Sequence, residues 1–168
     1  MSEQLNPALI DNEQMKAFID KGGVIHELLD VTDDELDSIY MVAYNLYQSC
    51  RYDDAEKLFQ LLVTYNHYNI SYYLGLGGCR QAKEKYQEAA DTYSIAVLFD
   101  ADDPRLPFHA GECHLALNDL KSAESGFYAA AMRAGEIPEY QELKAKAEGL
   151  LKLVQTKQAD QEASNEHK

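Results

Sequence analysis

Glycine and proline are scarce, at nine and four of 168 residues, below their average usage in proteins. A chain so rarely interrupted favours long elements, which here read as helices. No stretch approaches the run of about 18 apolar residues that a membrane-crossing helix needs. The opening MSEQLNPALIDNEQMK has no basic region leading into an apolar run, so neither a membrane span nor a secretory signal is expected. Cysteine is limited to Cys50, Cys79 and Cys113, with no CxxC or CxxH spacing. These read as reduced, part-buried thiols of a cytosolic protein and not as a zinc site. Basic residues are few, 15 Lys and Arg against 29 Asp and Glu, for a net charge of −14. Such a surface repels phosphate backbones and anionic lipid, which argues against nucleic-acid partners and membrane insertion.

What is present is a hydrophobic fraction of 46% and a charged fraction of 26%, ordinary for a globular domain. Self-similarity appears at one period, 34 residues, on the triple Ala55, Ala89 and Ala123. Four residues after each stands an aromatic: Phe59, Tyr93 and Phe127. Twelve before each stands a small residue: Ala43, Gly77 and Gly111. These columns match the tetratricopeptide pattern, in which small residues let two helices of a hairpin approach and the aromatic fills the remaining space. The expected fold is all-α: three tetratricopeptide repeats forming a curved helical solenoid.

The frame places repeats at 36–69, 70–103 and 104–137 within 36–137. Residues 1–35 form an N-terminal helical segment, 138–155 a C-terminal capping helix, and 156–168 a polar tail expected to be disordered. Residues 8–20 carry Leu9, Ile10, Met15, Phe18 and Ile19 in an amphipathic pattern broken by Gly22-Gly23. Thr32 and Glu35 have the spacing of a capping box at the start of the first repeat. Proline is missing from its usual place near the repeat ends, at His67, Ala101 and Gly135, with Pro138 as a later breaker.

The inner face of such an array is lined by the first helix of each repeat. The inward positions give Asp37, Tyr40, Tyr44 and Tyr47, then Ser71, Leu74, Gly78 and Gln81, then Arg105, Phe108, Glu112 and Leu115. Tyr40, Tyr44 and Tyr47 share one helical face. With Leu74 and Phe108 they make an apolar, hydroxyl-edged groove suited to an extended peptide. The competing reading makes the tyrosines core, but Val42, Ala43 and Leu46 are expected to supply the core on another face. A clamp for a free carboxylate would need cations at these slots, and Arg105 is the only one.

Catalytic constellations are lacking. Gly75-Leu-Gly77-Gly78 does not spell a phosphate loop and follows no strand. His109 and Cys113 could share a helical face, but two ligands do not make a metal site. The acid pairs Asp33-Asp34, Asp53-Asp54 and Asp102-Asp103 fall at helix starts or turns, where they complement the helix dipole. No catalytic residue, metal or cofactor is expected, and the chain reads as a binding protein. Periodicity alone leaves open a general scaffold or adaptor for a peptide of another partner.

Five segments narrow this further: GGVIHELLDVTDDELDSIY, YNLYQSCRYDDAEKLFQLL, HYNISYYLGLGGCRQ, PRLPFHAGECHLAL and AESGF. Across about residues 18–130 they resemble the class II chaperones of type III secretion systems, in the low-calcium-response, SycD-like branch. That resemblance implies a bacterial cytosolic chaperone that keeps the major and minor hydrophobic translocators soluble before export, without ATP. It implies an extended N-terminal translocator segment in the concave groove, against Tyr40, Tyr44, Tyr47, Leu74, Gln81, Arg105, Phe108 and Glu112. It further implies a homodimer through the N-terminal helices. Cys50 departs from the family at a turn where glycine is common, and Gly126-Phe127-Tyr128 is bulkier than many repeats need.

Overall fold

The computed structural model describes residues 16–18 and 20–166. The amphipathic segment expected over 8–20, with Leu9, Ile10, Met15 and Ile19, therefore lies mostly outside the described residues. The described residues are helical with no strand, and they divide into two compact units between Gly75 and Leu76.

The first unit contains α1 (Ile25–Leu28), α2 (Asp33–Gln48), α3 (Tyr52–Tyr65) and the beginning of α4 (Ile70–Ala82). α2 starts on the expected capping box. The Glu35 N–H donates to the Thr32 hydroxyl, and the Thr32 N–H donates to Glu35 Oε2 at 2.9 Å. The Thr32 N–H and, at 3.0 Å, the Thr32 hydroxyl both donate to that carboxylate oxygen and hold the Glu35 carboxyl below its ordinary pKa. α2 and α3 pair as a hairpin around Leu36, Ala43, Ala55, Phe59 and Leu62, all buried. The Phe59 ring lies where a Cβ on Gly75 would stand. Gly75 is thus the small residue that receives this aromatic, a role the repeat columns did not give it. Val42 is 53% exposed, so it is not the core residue the sequence frame expected. The buried stripe of α2 runs through Leu36 and Ala43 instead, with Leu46 half-buried.

The second unit holds the rest of α4, α5 (Tyr86–Ala96), α6 (Arg105–Ala116), α7 (Leu120–Ala134), a 3-10 turn (Pro138–Tyr140) and α8 (Gln141–Glu166). α5 packs on α6, α6 on α7 and α7 on α8. A Cβ on Gly77 would strike the Tyr93 ring, and one on Gly111 would meet Phe127. The small-and-aromatic columns therefore describe real contacts. Phe108, Leu120, Ala123, Phe127, Ala130, Ala147 and Val154 form one buried cluster, flanked by Leu143, Leu150 and Leu151. Gly126, singled out above as part of a bulky triplet, proves to face the backbone of α6 directly. A Cβ there would lie 2.8 Å from the Pro107 carbonyl oxygen and 2.9 Å from Gly111 Cα.

Gly135, at φ 48°, ends α7 where the repeat lacks its proline, and Pro138 opens the 3-10 turn. The tail expected to be disordered from residue 156 is instead the continuation of α8 to Glu166. The reason is local. No glycine or proline follows Gly149, and Lys, Gln, Ala and Glu dominate the extension. Propagating a helix already anchored by Ala147 and Val154 also avoids the cost of nucleation. The Asp102-Asp103 pair differs as well, because Asp103 is buried and clasps Arg105.

The three hairpin turns repeat one geometry at the 34-residue period. Cys50, Glu84 and Asn118 sit at φ 57°, 59° and 59°. The next residue in each turn donates its N–H back to Leu46, Arg80 and His114, respectively, closing the helix end. Glycine adopts this left-handed conformation without the roughly 1–2 kcal/mol that other residues pay. Cys50→Gly should therefore raise stability by about 0.5–1 kcal/mol, read as a higher denaturation midpoint at unchanged slope. Cys50 is exposed, so no packing is lost.

Candidate functional site

In the first unit the tyrosines of α2 stand together, as their spacing requires. Tyr40 and Tyr44 stack with ring centroids 6.4 Å apart, and Tyr47 meets Tyr52 edge-on at 5.4 Å. Tyr44 is 44% exposed, while Tyr40 and Tyr47 are half-buried. Tyr40 also touches Phe59 at 5.9 Å and Tyr72 at 5.8 Å. One side of Tyr40 thus completes the packing, and Tyr44 lies exposed beside it. Phe59 and Tyr72 belong to this aromatic cluster although the inward positions did not include them. Phe59 was visible as the repeat aromatic, whereas Tyr72 falls one residue after an inward slot. Burial, with the Asp37 charge, pushes the Tyr72 phenol up, and burial does the same to Tyr73. Both hydroxyls stay neutral donors at any physiological pH. Leu74 is half-buried on α4.

In the second unit Gln81, Tyr93, His109 and Glu112 form one polar network. The Tyr93 hydroxyl donates to Gln81 Oε1 at 3.2 Å, and Gln81 Nε2 donates to Glu112 Oε2 at 3.2 Å. His109 Nδ1 lies 2.8 Å from the same carboxylate oxygen, and its ring stacks on Tyr93 at 5.4 Å. This network commits His109 to Glu112 and not to Cys113. The Cys113 thiol is buried, and burial, helped by the Glu112 charge, pushes it up to about 12. It is neither a ready metal ligand nor a nucleophile at neutral pH. Phe108 is 7% exposed and meets Phe127 edge-on at 5.9 Å, so it is more core residue than groove lining. Arg105 lies at the start of α6, where the buried Asp103 carboxylate accepts from its Nε at 3.0 Å and its Nη2 at 2.6 Å.

Burial raises the Glu112 pKa, but hydrogen bonds from His109 and Gln81, with the charges of His109 and Lys146, outweigh it. The net position is below the ordinary 4.5. A carboxyl depressed in the native state stabilises the fold fully above its unfolded pKa, and that contribution disappears as pH falls through the native value. Asp54, Asp119, Glu136 and Glu142 are depressed in the same direction, by Arg51, Ser122, Lys144 and Lys146 respectively. The melting temperature should be level from about pH 6 to 8 and fall once the pH drops below 4.5. Glu112→Gln should make that acid-side fall shallower in a thermal-melt series across pH.

Comparison with known proteins places this geometry. A tetratricopeptide-repeat family profile matches residues 36–69, the α2–α3 hairpin. Low calcium response locus protein H of Yersinia pseudotuberculosis is 40% identical over 143 residues, 85% of each chain. The chain belongs to the type III secretion translocator chaperones. A type III secretion complex from Aeromonas hydrophila matches with a TM-score of 0.86 and 41% identity, over 88% of this chain and 99% of that one. Yersinia enterocolitica SycD in complex with a peptide of the translocator YopD matches at 0.73 and 40%, over 76% and 98%. Among the described residues of this chaperone, no helix is long and apolar enough to cross a membrane, and no group of three or more His, Cys, Asp or Glu could hold a metal ion.

Proposed function

We propose that this chain is a cytoplasmic bacterial chaperone that binds the hydrophobic pore-forming translocators of a type III secretion system and keeps them soluble before export. It acts without ATP and without catalysis. Its work is to cover apolar client surface that would otherwise aggregate, while its acidic exterior keeps the complex dispersed. The client contributes an extended N-terminal segment. In the first unit this meets Tyr40, Tyr44, Tyr47 and Leu74. In the second unit it meets Gln81, Arg105 and Glu112, with Phe108 beneath them. A homodimer through the N-terminal helices completes the proposal.

The observation that carries this reading is the outward-facing tyrosine set on α2, in a chain belonging to this family. Tyrosine supplies large contact area at low entropic cost and a hydroxyl for the client main chain. The neutral polar character of the face suits a peptide backbone, not a terminal carboxylate. Co-expression with a translocator encoded beside it tests the reading. The translocator should be soluble and co-purify only when this chain is present, with no nucleotide required. A translocator equally soluble alone, or insoluble despite the chain, would leave a scaffold for another partner as the better reading.

A further inference from the structure

The two ends of the repeat stack are finished differently. At the C-terminal end α8 lies over α7, and its Ala147 and Val154 are buried in one cluster with Phe127. At the other end one face of α2 is uncovered. Ser38, Met41, Val42 and Asn45, at i, i+3, i+4 and i+7, are all exposed, Met41 at 55%.

The 34-residue period shows what this face does elsewhere. One period on, Tyr72, Leu76 and Cys79 are buried, and two periods on, so are Leu106, Ala110 and Cys113. The cover comes from the helix that precedes in the chain. The Phe59 ring of α3 lies where a Cβ on Gly75 would stand, and the Tyr93 ring of α5 stacks on His109 at 5.4 Å. Met41 holds the place of Gly75 and His109, but α2 is the first helix of the first repeat. A stack of this kind needs its terminal faces covered.

The chain carries a segment that fits. Residues 1–15 lie outside the described structure, and within them the stretch from Gln4 to Ile10 holds no charge and contains Leu5, Leu9 and Ile10. In a chain of net charge −14, an uncharged stretch is matched to an apolar patch and not to the acidic surface around it. Fully extended, fifteen residues span about 50 Å, against roughly 30 Å across a unit of this size. The face of α2 is therefore within reach from Lys16. Tethering also gives such a segment an effective concentration on the order of millimolar, well above that of a second copy.

We propose that residues 4–10 fold back on α2 of their own chain and cover the face of Ser38, Met41, Val42 and Asn45. Leu9 and Ile10 supply the apolar contact to Met41 and Val42, in the place that a preceding hairpin takes in the later repeats. This face lies on a different side of α2 from Tyr40, Tyr44 and Tyr47. Its occupant is this chain and not the client, and the rest of the N-terminal segment is left for the homodimer.

The test places benzoylphenylalanine at Met41 of the full-length protein, irradiates it without client and digests with trypsin. Residues 1–16 leave as one peptide, because Lys16 is the first basic residue. The crosslink should join that peptide to α2, in a product that runs as a monomer on a denaturing gel. The same probe at Leu98, 80% exposed in the second unit, should not reach it. Leu9→Asp with Ile10→Asp should abolish the crosslink and lower the melting temperature by about 2–4 °C. Met41→Asp with Val42→Asp should lower it equally, and all four changes together should cost no more than either pair. A crosslink to the peptide only in dimer-sized product would give the face to a second copy and overturn the proposal. So would no crosslink to the peptide, equal labelling from Leu98, or additive losses in the combined variant. No translocator enters these measurements, so their outcome is separate from that of the chaperone reading.

Discussion

Replacing both Tyr44 and Tyr47 by alanine should abolish capture of the translocator while leaving the chaperone folded. Anchors of this kind dominate peptide recognition, and truncating one costs about 2 kcal/mol or more. Two of them together predict an affinity loss of about 100-fold or greater, read by calorimetric titration with the client's N-terminal segment. The fold should survive because Tyr44 is 44% exposed and Tyr47 is half-buried, its ring meeting Tyr52 edge-on. Tyr40 is the poorer choice for this experiment. Its ring lies against Phe59 and Tyr72, so truncating it opens the edge of the first unit's core and confuses lost binding with lost stability. A double variant that melts normally and still binds at wild-type affinity would remove the tyrosine face from the account.

Gly126→Ala should be the most damaging single methyl in the second unit. The added Cβ would meet backbone, the Pro107 carbonyl oxygen at 2.8 Å and Gly111 Cα at 2.9 Å. A colliding side chain can rotate away, but two helix backbones can only move apart. That separation would loosen Phe127 and Phe108, which pack edge-on at 5.9 Å in the same cluster. Overpacking of this kind costs roughly 3 kcal/mol, measured as a fall in the urea midpoint. Gly149→Ala makes the matched control: a Cβ there meets nothing within 4 Å. It should stabilise the helix slightly, by about 0.5–1 kcal/mol.

The architecture was legible because tetratricopeptide packing depends on residue size at fixed intervals, and size is written in the sequence. Gly77 against Tyr93 and Gly111 against Phe127 are contacts that the 34-residue columns predict directly. The Thr32–Glu35 box was legible for a similar reason, since its chemistry is confined to four consecutive residues. Features set by tertiary context were not. Val42 sits beside buried Ala43 yet lies 53% exposed, because periodicity gives a helical face only to within a residue either side. Phe59 nests on Gly75, whereas the columns gave its repeat Ala43 as the small residue.

At the site, the shared face of Tyr40, Tyr44 and Tyr47 followed from helical spacing. The polar network did not, because Gln81 reaches Glu112 across 31 residues and Tyr93 across 12. Long-range polar pairs leave no periodic trace in a single sequence. The length of α8 was misjudged on polarity, when the absence of breakers in residues 150–166 was the better guide.

The central claim, that the outward tyrosine face holds the translocator, is tested most directly by photo-crosslinking from that face. Benzoylphenylalanine is placed at Tyr44 in one protein and at Tyr128 on α7 in another. Tyr128 is 58% exposed and belongs to neither proposed contact set. Each protein is co-expressed with the translocator and irradiated. The account predicts a crosslink from position 44 that maps to the client's N-terminal segment, and none from position 128. A crosslink from 128 with none from 44 would contradict it.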